Sequence, residues 1–214
     1  SMGGTDNLKT SIGHNWQKGP INAPTVLNSS LNLAQFWDGR ALTLQDQAGG
    51  PIANPGEMAS THTLALSVLQ SIPAYVAEYK KVFGSDKITV DGVTKAIATF
   101  EETLATPNSR FDKGLKGDKK ALSAQEIAGY ELFKDSGCTA CHTPKYVTAR
   151  LTDQPAQSFQ LIWPYTDLLL HDMGEGLADN RPEARATGTE WKTPPLWGIG
   201  LTEQVAGQAS FLHD

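Results

Sequence analysis

The chain has 214 residues, 39% of them apolar and 19% charged, with a formal net charge of −5. That composition suits a chain folding around a real core, as one large domain or two small ones. The 18 Lys and Arg form no long run, which excludes the concentrated basic face a nucleic-acid partner needs. No stretch approaches the ~20 consecutive apolar residues that cross a bilayer: the most apolar window, 159–170, is broken by Pro164 and Asp167.

Residues 1–20 lack the apolar centre of a secretory signal. The start, Ser1-Met2-Gly3-Gly4, reads as the middle of a loop, and the finish, Phe211-Leu212-His213-Asp214, carries no terminating pattern. The expectation is a piece of a longer precursor. Residues 1–60 are rich in Gly, Pro and Asn, with Trp16, Phe36 and Trp37 interspersed; long irregular segments of this kind are usually functional or wrapped around something. From about 60 the spacing becomes helical: Leu64, Val68, Leu69 and Ile72 share a face, and Pro73 ends the run. A second helix is predicted from Tyr75 to Phe83, closed by Gly84. The clearest covers 90–105, with Val93, Ala96, Ile97, Phe100 and Leu104 on one stripe.

Residues 106–120 form a polar connector between two lobes, 1–105 and 121–214. Ser123 and Glu126 have the spacing of a capping box, with Leu122 and Ile127 placed as its hydrophobic staple. The helix they start runs to about Lys134 and leads the chain into Gly137-Cys138. Residues 143–214 are again loop-rich, with one short helix near 164–171. No strand alternation long enough for a sheet is present, and no internal repeat. The fold class predicted is mainly α, in helical lobes with long ordered loops.

The two cysteines provide no disulfide framework, and a zinc site needs more Cys or His ligands close by. Cys138-Thr139-Ala140-Cys141-His142 is C-x-x-C-H, the attachment signature of c-type haem. The chemistry sets the spacing: two thiols add to the two vinyl groups, and the adjacent imidazole reaches the iron from the proximal side. A dithiol redox pair has no need of the trailing histidine. Because such attachment takes place outside the cytoplasm, the motif implies export and a periplasmic location.

Several segments resemble the bacterial di-haem cytochrome c peroxidases. They are Gly3-Gly4-Thr5-Asp6-Asn7-Leu8, Ser11-Ile12-Gly13-His14, Pro24-Thr25-Val26-Leu27-Asn28, Gln35-Phe36-Trp37-Asp38-Gly39-Arg40 and Asn54-Pro55-Gly56-Glu57-Met58. The likeness runs to the haem motif at 138–142. From Thr143 the resemblance shifts: Trp163-Pro164-Tyr165-Thr166-Asp167 through Met173-Gly174, and Glu190-Trp191-Lys192-Thr193-Pro194-Pro195, are similar to related di-haem proteins labelled thiol oxidoreductases. A natural hybrid, an engineered fusion and a fragment are all compatible with this pattern.

The resemblance implies two cytochrome c-like lobes, each with a haem c. The peroxidatic C-x-x-C-H lies upstream of the Gly3-Gly4-Thr5-Asp6 segment in that family, so the motif at 138–142 corresponds to the second, electron-transferring haem. Residues 1–105 then belong to the peroxidatic lobe without its own attachment motif. His14 matches the distal ligand that leaves the peroxidatic iron on activation. Glu57 and Gln47 match the pair over the open iron face, and Trp37 the tryptophan between the haems. Asn22 matches a side-chain ligand of calcium; one amide oxygen is weak support on its own, since such sites take six to eight oxygens. For the haem on His142, Met173 is the first candidate sixth ligand, a thioether suiting a high-potential haem; His171 and an open position are the alternatives. The partners implied are hydrogen peroxide and a small electron donor, a cytochrome c or a cupredoxin, with a homodimer as the assembly. The competing function is a non-enzymatic electron-transfer module, since only one C-x-x-C-H is present.

Overall fold

The structure, a computed structural model, describes residues 6, 8, 10–19, 21–37, 39–150, 155–180, 185–206 and 211. Met2, Gly3-Gly4-Thr5, Asp38 and the end at His213-Asp214 lie outside the described residues. The chain divides into two compact units: Ser1–Ala105 with Val205–Gly207, and Thr106–Gln204 with Gln208–Asp214.

The first unit holds α1 (Leu44–Ala53), α2 (His62–Gln70), α3 (Pro73–Phe83) and α4 (Val90–Glu102). Three of the four begin at a threonine whose hydroxyl accepts an orphan N–H of the first turn: Thr43 from Asp46, Thr61 from Leu64 and Thr89 from Gly92. The fourth, α3, starts on Pro73, whose missing N–H costs nothing there, and ends on Gly84 in the left-handed region. In α1 the sequence reading expected irregular chain, with reason. Gly49 and Gly50 are poor helix formers, and Pro51 cannot donate to the carbonyl of Gln47. Packing against α4 overrides that preference: Leu44 and Ala48 of α1 and Thr94 and Ala98 of α4 are all buried.

The core differs from the predicted stripes. Leu64, Val68 and Phe100 are 55%, 51% and 63% exposed. The α1–α4 contact uses small residues instead, which let two helix backbones approach closely. Gly92 shows how tight the neighbourhood is: a Cβ there would lie 1.9 Å from the hydroxyl of Tyr79, which is itself 2.9 Å from the Thr89 hydroxyl.

In the second unit the predicted connector carries a helix of its own, α5 (Arg110–Leu115), opened by a capping box of Ser109 and Asp112. Next comes α6 (Ala124–Asp135), with both halves of the expected Ser123–Glu126 capping box formed. Arg110 joins the helices, its guanidinium donating to the two Glu126 carboxylate oxygens at 2.7 and 2.6 Å. The N–H and hydroxyl of Ser123, reinforced by Arg110, hold the Glu126 carboxyl below the usual carboxylate range.

Beyond α6 the chain is mostly irregular and is pinned by two short antiparallel ladders. One pairs β1 (Tyr146–Val147) with β2 (Leu161–Ile162), the other β3 (Leu170–Asp172) with β4 (Glu190–Lys192). A five-residue α7 (Thr202–Ala206) follows. The short helix expected near 164–171 is instead an extended strap ending in β3. Tyr165 and Leu168 take left-handed backbone angles, φ 56° and 61°. Thr166, the fully buried side chain between them, donates to the Thr193 carbonyl at 2.6 Å. No helix among the described residues is long and apolar enough to cross a membrane.

Ser123→Ala removes one arm of the α6 box and is expected to cost about 0.5–2 kcal/mol of stability, measured by denaturant unfolding of the haem-loaded protein. The difference from the parent should shrink as pH falls through the depressed Glu126 titration. The folded carboxyl titrates lower than the unfolded one, so its stabilisation is present above that range and lost with protonation.

Candidate functional site

In the second unit, α6 ends at Ser136 and the chain reverses through Gly137 in the left-handed region, φ 79°. A single 3-10 turn, Cys138–Ala140, then brings the two thiols and the imidazole together, closed by the His142 N–H on the Cys138 carbonyl at 2.9 Å. Both cysteines are free thiols, Cys138 exposed and Cys141 half-buried. The decisive contact is His142 Nδ1 to the Tyr165 carbonyl, 2.9 Å. A carbonyl can only accept, so Nδ1 carries the proton and Nε2 the lone pair, the tautomer a metal-binding imidazole needs. Two nucleophilic thiols beside an imidazole held in that tautomer fit a covalently attached haem, with Cys138, Cys141 and His142 as its holders.

Tyr165 supports this arrangement from behind. It is 9% exposed and sits among Phe111, Tyr130, Phe133 and Trp163, with ring centroids 5.7–6.5 Å away. Burial, then the Tyr130 hydroxyl, push its phenol far above the usual range. Thr166 ties the same strap to the motif's exit, its N–H bonding the Thr143 carbonyl at 3.1 Å. The ligand atoms of Cys141, Asp167 and His171 lie within 4.8 Å of one another. His171 Nε2 is engaged with the Asp167 carboxylate at 2.7 Å. Burial works against the Asp167 charge, but bonds from the Leu169 N–H, His171 and Thr193 outweigh it and hold the carboxyl below its ordinary range. Met173, half-buried, follows β3 directly, its N–H bonding the Thr189 carbonyl at 2.9 Å.

In the first unit a cavity of about 450 Å³ opens beside α1, its wall including Phe36, Arg40, Asp46, Gly50, Asn54 and Glu57. The Arg40 guanidinium lies 3.6 Å from the centre of the Phe36 ring. Gly50 leaves room for that ring, since a Cβ there would come within 3.3 Å of it. Gln47 is half-buried on the same helix, one residue past Asp46. The His14 segment meets the turn that carries Glu57: the His14 N–H donates to the Glu57 carbonyl at 2.7 Å, and Gln17 Nε2 to the Pro55 carbonyl at 3.2 Å. A Cβ at Gly13 would lie 1.9 Å from the Gly56 carbonyl oxygen, so only glycine allows the approach. Trp37 is 41% exposed, its indole N–H donating to the Asn22 carbonyl at 2.9 Å. The side-chain amide of Asn22 donates in turn to the Leu8 carbonyl at 2.7 Å.

The family model described as "Di-haem cytochrome c peroxidase" matches residues 1–120. The chain belongs to the di-haem cytochrome c peroxidase family. The cytochrome c551 peroxidase of Nitrosomonas europaea is 68% identical over 142 residues, covering 66% of this chain and 42% of that protein. The methylamine utilization protein MauG of Methylorubrum extorquens is 30% identical over 223 residues, covering 100% of this chain and 56% of that one. This member of the di-haem peroxidase family therefore spans roughly half or less of the length of these relatives. Among solved structures, a MauG-like protein associated with microbial copper homeostasis superposes with TM-score 0.73 at 21% identity, covering 94% of this chain and 62% of that one. The di-haem peroxidase BthA of Burkholderia thailandensis superposes with TM-score 0.61 at 21% identity, over 91% and 56%. These likenesses bear on the fold, which is mostly helical as expected.

The sequence reading missed three contributors: Tyr165 as the acceptor behind His142, Thr166 as the clip of its strap, and Asn54 beside Glu57. The first acts through a backbone carbonyl, which leaves no trace in residue type. Replacing Cys138 and Cys141 together by Ala removes both thioether bonds of a family c-type haem, so denaturing acid extraction should free all of it from the polypeptide. Haem retained covalently by that double variant would contradict the attachment site.

Proposed function

We propose that this chain is part of a di-haem cytochrome c peroxidase, which reduces hydrogen peroxide with electrons from a small redox protein. The observation that carries the reading lies in the first unit: Glu57 lines a cavity while the His14 turn is hydrogen-bonded to the Glu57 backbone. It joins two residues that lie far apart in sequence and to each of which the family resemblance gives a role at the peroxidatic haem. The first unit is then the peroxidatic lobe and the second the electron-transferring lobe.

A peroxidatic haem, when bound, would supply the redox chemistry by which two electrons reach the peroxide. Two protons are needed as well, to convert hydrogen peroxide into two water molecules. Glu57 shifts a proton that the peroxide already carries from one of its oxygens to the departing one, while the two protons consumed are drawn from water. Gln47 holds the peroxide by its side-chain amide. His14 would be the side chain that holds such an iron at rest, and its displacement on activation would pull on the Glu57 turn through the His14 N–H. Trp37, fixed by Asn22, carries the electron. A calcium ion on Asn22, a periplasmic location, a cytochrome c or cupredoxin as donor and a homodimeric assembly complete the proposal. Haem c on Cys138, Cys141 and His142 would store the electron, with Met173 as its sixth ligand, a thioether suiting a high-potential haem.

The alternative, an electron-transfer module without peroxide chemistry, draws on the single C-x-x-C-H of the sequence. Glu57→Gln separates the two. It keeps size and hydrogen-bonding shape but cannot carry the proton, so in a form of the chain extended upstream to carry the peroxidatic C-x-x-C-H, peroxide turnover should fall by about 10²–10⁴-fold with both haem spectra intact. Turnover unchanged in that variant would remove Glu57 from the mechanism. For the other haem, oxidised protein should show a weak near-infrared sulfur-to-iron band that Met173→Ala abolishes; absence of the band in the parent would exclude Met173 as ligand.

A further inference from the structure

We infer that Asn54 is a positioning residue for peroxide chemistry, holding the Glu57 carboxylate at the cavity wall through its side-chain amide; the inference rests on the reading of Glu57 given above. Asn54 caps the C-terminus of α1 and lines the same cavity as Glu57. Its Nδ2 donates to Glu57 Oε1 at 2.8 Å, and its Oδ1 accepts the Gly56 N–H at 2.9 Å. Its backbone carbonyl accepts from the N–H groups of Glu57 and Ala59 at 3.0 and 2.9 Å.

The network leaves one orientation for the amide. A backbone N–H can be met only by oxygen and a carboxylate is best met by nitrogen, so Oδ1 faces Gly56 and Nδ2 faces Glu57. Neither aspartate nor serine can meet both demands, because each can accept from Gly56 but brings no amide N–H to the carboxylate. Asparagine is thus the residue type that forms the turn and aims its acid together. The stake is geometric: a glutamate has three rotatable bonds, and a proton shuttle must sit within hydrogen-bond reach of the atom it serves. One charge-assisted bond onto Oε1 removes most of that freedom. The backbone of the same turn receives the His14 N–H, so Asn54 fixes the carboxylate relative to the segment that the proposed activation step displaces.

The two roles of Asn54 come apart experimentally. Asn54→Asp keeps the acceptor on Gly56 but replaces the donor to Glu57 with a like charge; Asn54→Ser keeps a smaller acceptor and no donor, and serves if the aspartate variant does not fold. In the form of the chain extended upstream to carry the peroxidatic C-x-x-C-H, three measurements are made on each variant, on Glu57→Gln and on the doubles: the second-order rate of peroxide reduction, the rate of cyanide binding to oxidised protein, and the affinity for imidazole. Hydrogen cyanide must lose its proton on binding and so reports the acid–base group without turnover, whereas imidazole binds neutral and reports only access. Asn54→Asp should slow both peroxide and cyanide by roughly 10- to 100-fold, the range of one to two decades that a charge-assisted bond commands. Imidazole affinity and unfolding temperature should stay near the parent's, and the Glu57→Gln background should abolish the further loss.

Asn54→Asp or Asn54→Ser at parental rates, with Glu57→Gln slow, overturns the inference and leaves the function of Glu57 standing. Equal losses in peroxide, cyanide and imidazole, with a lowered unfolding temperature, assign Asn54 a purely structural role and overturn it too. Parental rates in Glu57→Gln overturn the reading of Glu57 and this inference with it.

Discussion

The hydrogen bond from His142 Nδ1 to the Tyr165 carbonyl is the constraint around which the second unit is arranged. It requires a backbone carbonyl to be presented at one point in space, 23 residues downstream, by a segment with no regular structure to hold it. The surroundings meet that demand. Tyr165 takes a left-handed backbone angle that an aromatic residue adopts only under compulsion. Its ring is clamped by four other aromatics, and the neighbouring Thr166 is locked to Thr143 and Thr193. The strain in the strap is offset by packing on both sides, and the result is an imidazole whose tautomer and direction are decided before any metal arrives.

The first unit solves a different problem, that of bringing distant loop residues to one cavity. It relies on small residues rather than bulk. Gly50 admits the Phe36 ring against α1, Gly13 admits Gly56, and Ala48, Thr94 and Ala98 bring α1 and α4 together. Large apolar side chains such as Phe100 and Val68 remain exposed. The organisation is driven by close backbone approach, by the backbone bond of His14 to Glu57, and by bonds between side chain and backbone: Gln17 to Pro55, Trp37 to Asn22, Asn54 to Gly56. Such bonds specify geometry more than they add stability, since each replaces a bond to water.

Both units follow one logic in which a residue with evident chemistry is aimed by a residue with none. His142 is aimed by a carbonyl of Tyr165, and Glu57 by the amide of Asn54. Membership of the di-haem cytochrome c peroxidase family is established by the match over residues 1–120. The aiming contacts belong to the folded chain and explain how long, weakly structured loops hold reactive groups in defined positions.

Much of this protein was legible in the sequence. The C-x-x-C-H spacing singled out Cys138, Cys141 and His142 as the residues suited to hold a haem, because thioether chemistry sets the distances between the three. The Ser123–Glu126 box marked the start of α6, the 3.6-residue period marked α2 and α4, and Gly84 marked the end of α3, since caps and periodicity are local properties of the chain. Tertiary structure alone decided α1, whose Gly-Gly-Pro run opposes helix until α4 packs against it. It decided α5 inside a connector whose polar composition hides a capping box, and it turned the expected helix at 164–171 into an extended strap. Burial of Thr166 and the carbonyl of Tyr165 outweighed local preference there. The pairing of His14 with Glu57, and the partners of His142 and Glu57, were likewise settled only in the folded chain. The Tyr165 carbonyl and the close contact of Gly13 with Gly56 act over long separations and leave no mark in the identity or spacing of neighbouring residues, whereas Asn54 reaches Glu57 only because the turn after α1 folds its amide back onto the carboxylate.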